Sequence, residues 1–159
     1  MPALRECLAA GGLKDARTYV QSGNVVLSSG EAPEALARRC NELIAGRFGL
    51  DIAVIVRTVE ELAKVVGLNP LGTVAVNPKR YQVTFLASEP DPQRIEELME
   101  LAAPEEEVVG VGRELYSWHP EGVGRSKLWG RMAAAGGLGT TATARNWTTV
   151  TALLAMADE

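Results

Sequence analysis

The sequence predicts an α+β protein in two halves. Three observations predict it. Some stretches carry apolar residues at helical spacing, and others are short runs rich in β-branched residues. The elements alternate as α β α β α and then as β α β β α β α, and the second order resembles that of a ferredoxin-like unit. Between them, residues 69–78 hold two Asn-Pro pairs and a glycine, a seam that places the halves at 1–72 and 73–159.

Residues 2–10 read as a helix with Leu4, Cys7 and Leu8 on one face, stopped by Gly11 and Gly12. Residues 18–28 read as one strand, densest at Val25, Val26 and Leu27, with Gly23 marking a bulge or a close backbone approach. Pro33 suits a first helical position, and Leu36, Cys40, Leu43 and Ile44 continue the helix to a stop at Gly49. The apolar run 52–56 predicts a strand covered on both faces. Thr58 and Glu61 form a capping-box pattern, followed by Leu62, Val65 and Val66 on one helix face.

In the second half, residues 81–86 predict a strand, and Asp91-Pro92 opens a helix carrying Ile95, Leu98 and Met99. Residues 108–111 and 114–118 predict two strands joined at Gly112-Arg113. The acidic run 105–107 is expected to be solvated. A glycine-containing loop leads into a helix over about 126–135. Residues 140–144 predict a short strand, and Asn146 caps a last helix with Trp147, Val150, Leu153 and Leu154.

The chain has 159 residues, 47% apolar, 23% charged and 5% aromatic, which predicts a folded body with an aliphatic core and argues against disorder. A net charge of −4 disfavours general attraction to nucleic acid or anionic membrane. Cys7 and Cys40 fall on apolar helix stripes without a partner at zinc spacing. They read as buried thiols of a cytoplasmic protein, with no metal or cofactor implied. No apolar run reaches the length of a membrane span.

Three segments together carry a resemblance: TYVQSGNVVLSS at residues 18–29, LYSWHPEGVGRSKL at 115–128 and TATARNWTTVTALL at 141–154. The chain resembles the bacterial family known as domain of unknown function 1697. That resemblance implies two related ferredoxin-like subdomains, a duplication in one compact body, and brings no established activity. Members of the family usually open with a strand and an arginine- and glycine-containing loop. The present chain starts inside that pattern, so its first half is expected to miss its first strand. The exposed edge so left could promote self-association.

Two segments suggest anion chemistry. In Gly122, Gly124, Arg125, Ser126 and Lys127 the glycines let N–H groups converge at a helix start, with a hydroxyl and two cations beside them. The order differs from a Walker loop. The plainer use is a turn, a Ser126 cap and solvated cations. Arg145 and Asn146 lie at another predicted helix start. Asn146 suits a cap, whereas a cation at Arg145 opposes the dipole unless an anion bridges it to the Arg125–Lys127 turn.

Gln21, Ser22, Gly23 and Asn24 interrupt an apolar strand and admit either a ligand or a bulge. His119 is the single histidine and reads as structural, and Trp118, Trp129 and Trp147 read as core or edge fillers. The sequence is thus read as binding a small phosphate-bearing or nucleotide-like ligand. The alternatives are an enzyme acting on such a ligand, or a nucleic-acid-binding module. The acidic balance and the lack of aromatic-basic interleaving on a strand argue against the last.

Overall fold

The computed structural model describes residues 2–19, 23–134 and 137–158. They form an α+β protein in two units, residues 1–63 with 152–159, and residues 64–151. The division falls at 63/64 and not at 72/73. Residues 65–71 belong with the second unit because Tyr116 Oη donates to the Val65 carbonyl (3.0 Å) and Leu71 N–H donates to Tyr81 Oη (3.4 Å). The final residues group with the first unit, where the Arg17 guanidinium donates to the Met156 carbonyl (2.7 Å).

The first unit contains α1 (Pro2–Ala10), β1 (Arg17–Tyr19), β2 (Asn24–Val26) and α2 (Pro33–Phe48), and α3 (Val59–Leu68) begins in it. Leu8, Leu13, Leu36 and Cys40 form its core, with Val25, Val54 and Val56 packed against them. Both thiols are free and buried, and Cys7 Sγ donates to the Leu43 carbonyl (3.2 Å). Thr58 and Glu61 form the reciprocal cap, each side chain accepting from the other's backbone N–H (3.1 and 2.9 Å).

Two expectations fail in this unit. Residues 18–28 are not one bulged strand but an antiparallel hairpin pairing Arg17 with Val26 and Tyr19 with Asn24. Gly23 has φ +78°, a left-handed conformation that glycine adopts without a Cβ penalty. Residues 52–56 form no ladder. Val54 and Val56, two apart, still face the core, so the alternation is strand-like without a paired neighbour. Among the described residues this unit holds a two-stranded sheet.

The second unit follows β3 (Tyr81–Leu86), α4 (Pro92–Leu101), β4 (Glu107–Val111), β5 (Glu114–Trp118), α5 (Lys127–Ala133), β6 (Ala142–Asn146) and α6 (Trp147–Ala157), the last passing into the first unit. This is the expected βαββαβ order. Its sheet is antiparallel throughout, ordered β4-β5-β3-β6. Asp91 caps α4 by accepting from Gln93 N–H (3.0 Å), and Asn146 caps α6 by accepting from Thr149 N–H (3.0 Å).

Strand alternation assigns the two sheet faces. Leu86, Val108, Leu115 and Ala142 share one face and pack with Leu98 of α4 and Leu128 and Met132 of α5. The opposite face carries Tyr81, Val83, Tyr116, Trp118 and Arg145, paired across the strands. There the Tyr81 ring stacks on Trp147 at 4.6 Å, and its hydroxyl donates to Asn69 Oδ1 (3.0 Å). No helix among the described residues is long and apolar enough to cross a membrane.

Candidate functional site

The loop between β5 and α5 is held from beneath by four polar side chains of the second unit. Ser117 lies on the helix-covered face of β5, and His119, two residues on, follows it beyond the strand end. Both are fully buried. Glu106 sits in the turn before β4, where its backbone N–H donates to the Ala103 carbonyl (2.9 Å) and its Oε1 accepts from Ala103 N–H (3.0 Å). Ser126 caps α5 by accepting from Trp129 N–H (3.0 Å).

These elements bring the side chains into one chain of contacts. His119 Nδ1 is 2.6 Å from Glu106 Oε2, and His119 Nε2 is 2.8 Å from Ser117 Oγ. Ser126 Oγ donates to the same Glu106 Oε2 at 2.5 Å. The Trp129 ring meets the imidazole edge-on at 5.4 Å. Backbone bonds fix the loop further: His119 N–H donates to the Arg80 carbonyl (3.1 Å) and Gly122 N–H to the His119 carbonyl (2.8 Å). The Arg80 guanidinium also grips the Pro120 carbonyl. Gly122, at φ +83°, closes the turn in a conformation that side-chain-bearing residues resist.

Protonation states follow from this geometry. Burial pushes His119 below its ordinary 6.5, overriding the opposing pull of the Glu106 carboxylate. Burial alone would raise Glu106, but hydrogen bonds from Ala103 N–H, Ser126 and His119 outweigh it and hold the carboxyl below 4.5. A neutral imidazole and an ionised carboxylate satisfy every group. Nδ1–H donates to Glu106, Nε2 accepts from Ser117, and Ser126 donates to Glu106. The acidic run is therefore not uniformly solvated: the Glu106 side chain is only 7% exposed, whereas Glu105 and Glu107 are exposed.

The expected anion hollow is not assembled as the sequence suggested. Arg145 pairs with Val83 and so lies on the sheet face opposite Leu86 and Leu115, the face that α5 and Ser126 cover. Its guanidinium donates to Thr143 Oγ1 and the Ala144 carbonyl, both at 2.7 Å. Asn146 is engaged as a cap. Ser126 is engaged by Glu106, so the negative charge its helix start favours comes from within the protein. Arg125 and Lys127 are exposed, and neither side chain has a hydrogen-bond or ion-pair partner among the described residues. Gly124 is exposed between them and Gly122.

Gln21 and Ser22 lie outside the described residues. Asn24 is buried, and its amide donates to the Tyr19 carbonyl (3.1 Å) across the hairpin. Gly23 and Asn24 belong to the first unit and the Gly122–Lys127 loop to the second. Sequence reasoning missed Glu106 and Ser117. The Ser-Trp-His spacing at the end of a strand was a signal for Ser117 and His119 on one face. Nothing local marked Glu106, 13 residues from its imidazole partner.

The fold and this loop define an α+β protein whose antiparallel sheet carries an internally hydrogen-bonded Ser–His–Glu–Ser network under a basic turn. Residues 1–116 match the family described as "Protein of unknown function (DUF1697)", and the chain belongs to that family. Residues 117–127 lie beyond the matched segment. A solved structure of a conserved bacterial protein from Streptococcus pneumoniae shares the fold, with a TM-score of 0.75 and 17% identity, covering 100% of this chain and 89% of that one. No curated protein matches.

Proposed function

We propose that the protein binds a small phosphate-bearing or nucleotide-like anion on the Gly122–Lys127 loop, with Arg125 and Lys127 as the charges that meet it. The observation that carries this reading is a pair of exposed cations without protein partners, on a turn whose foot is fixed by Glu106, Ser126 and His119. A loop ordered in advance loses less entropy when a ligand docks. Arg145 and Asn146 take no part, and Ser126 acts by holding the loop in shape.

Exposed ion pairs contribute roughly 0.2–1 kcal/mol each, so the two cations alone supply at most about 2 kcal/mol, a Kd no tighter than about 30 mM that weakens further with salt. Titrating pyrophosphate and ADP at low and high ionic strength tests this. Binding should shift Gly124 and Lys127 amide resonances and vanish in the Arg125→Glu/Lys127→Glu double variant. Equal binding by that variant would sink the proposal.

The enzyme reading has its own observation. Ser117 Oγ, the His119 ring and Glu106 are connected in the order of a nucleophile, a base and an acid. Ser117 and His119 have no exposed surface, which counts against it. Covalent labelling of Ser117 by a fluorophosphonate would favour this reading; an unlabelled Ser117 would remove it.

A further inference from the structure

The two units run through the same order of elements, with one difference. The second unit runs β3, α4, β4, β5, α5, β6, α6, and the first runs α1, β1, β2, α2, the strand-like run 52–56, α3. The strand that opens the second unit has no counterpart in the first. In the second unit β3 pairs antiparallel with β5 along one edge and with β6 along the other. By order, the counterparts of those two neighbours are β2 and residues 52–56. Among the described residues β2 pairs with β1 alone, and residues 52–56 pair with no strand.

The backbone of residues 52–56 carries the consequence. The N–H groups of residues 53–56 and the carbonyls of residues 53–55 have no hydrogen-bond partner among the described residues. The run is pinned at its ends, where the Asn41 amide donates to the Ile52 carbonyl (2.6 Å) and Thr58 N–H donates to Glu61 (2.9 Å). Between those pins Val54, Ile55 and Val56 are half-buried, a setting in which backbone polar groups ordinarily find partners. Val25 and Leu27 on one side, and Val54 and Val56 on the other, pack against the same core of Leu8, Leu13, Leu36 and Cys40. Leu50 and Ile52, at the start of the run, are 52% and 44% exposed, so apolar surface lies uncovered beside the open edge.

We infer that β2 and residues 52–56 are the two walls of a strand-binding site, which takes up a short extended segment of another polypeptide by β-addition. The guest bonds to a wall along each of its edges, as β3 bonds to β5 and β6. Its chemistry follows from β3, where five of six residues are buried. The guest is about as long as β3, uncharged, and rich in β-branched or aromatic residues, since a charge there would go unpaired. A second folded copy is a poorer guest. Its strands are tied to helices or turns at both ends and can reach one wall only. The site lies in the first unit and does not rest on the anion-binding reading.

The probe is a peptide carrying the β3 sequence YQVTFL between two lysines, and the readout is hydrogen exchange of the full chain. In the free protein the amides of residues 53–56 should exchange at nearly unprotected rates whatever the protein concentration. Peptide at about ten times its Kd should slow exchange about tenfold, both there and at the β2 amides not bonded to β1, because only unliganded protein exchanges. A strand bonded along both edges uses every N–H, so proline in place of the peptide's valine should abolish the effect. Amides at 53–56 that are slow without peptide, no protection at millimolar peptide, protection of one wall only, or equal protection by the proline peptide would each overturn the inference. Protection that rises with protein concentration alone would also overturn it, by making a second copy the guest.

Discussion

Removing the Glu106 carboxylate should unlatch the loop between β5 and α5. In Glu106→Ala, three donors lose an acceptor: His119 Nδ1–H, Ser126 O–H and Ala103 N–H. Hydrogen bonds to a charged group are worth roughly 1.5–3 kcal/mol each, but these three share one carboxylate and do not add. Ala103 is exposed and regains water, and Ser126 Oγ, 3.4 Å from His119 Nδ1, can turn to accept from it. What remains is chiefly the weakened pairing of a fully buried imidazole, so the expected loss is about 3 kcal/mol. That corresponds to roughly 6–12 °C in Tm for a chain of this size.

The assay is urea unfolding followed by tryptophan fluorescence. Trp118, Trp129 and Trp147 all lie in residues 64–151, so the signal reports the second unit, where the change is made. Glu105→Ala, at an exposed neighbour, is the control and should cost under about 0.5 kcal/mol. A Glu106→Ala loss no larger than the control would refute the reasoning. So would full additivity of Glu106→Ala with Ser126→Ala, since residues sharing a hydrogen bond must couple.

Acid should loosen the second unit in two stages. Because folded His119 titrates below 6.5, the unfolded chain binds a proton that the folded one refuses. Stability is complete above about 6.5 and falls as pH drops through the window beneath it. Glu106, held below 4.5, adds a second loss below that pH, measurable as a falling denaturation midpoint. A midpoint flat from pH 7 to pH 5 would contradict the His119 assignment. In the first unit, Thr58→Ala should cost about 1 kcal/mol by removing the α3 cap, read from hydrogen exchange at Glu60 and Glu61.

Much of the second unit was legible because local signals agreed with the fold. Asp91-Pro92 and Asn146 start the helices they should, and Gly112-Arg113 turns the hairpin between β4 and β5. The first unit was less legible. Gln21-Ser22-Gly23-Asn24 has turn chemistry as well as bulge chemistry, and only the pairing of Tyr19 with Asn24 decides between them. The run 52–56 has strand composition, but a ladder needs a neighbour that sequence pattern cannot supply.

The site was half legible for the same reason. Ser126 as a cap follows from its place before a helix, and the exposure of Arg125 and Lys127 from their glycine-rich turn. That Arg145 faces away from them depends on strand register, where a slip of one residue would turn it over. Glu106 looked solvated because its neighbours are acidic. Its burial comes from a histidine and a serine brought in by other elements.

The account turns on the imidazole of the chain's single histidine, whose nitrogen-15 resonances are therefore unambiguous. At pH 7 they should show a neutral ring with its proton on Nδ1, bonded to an ionised Glu106, and Nε2 as a bare acceptor. An imidazolium at that pH, or a ring protonated on Nε2 alone, would contradict it.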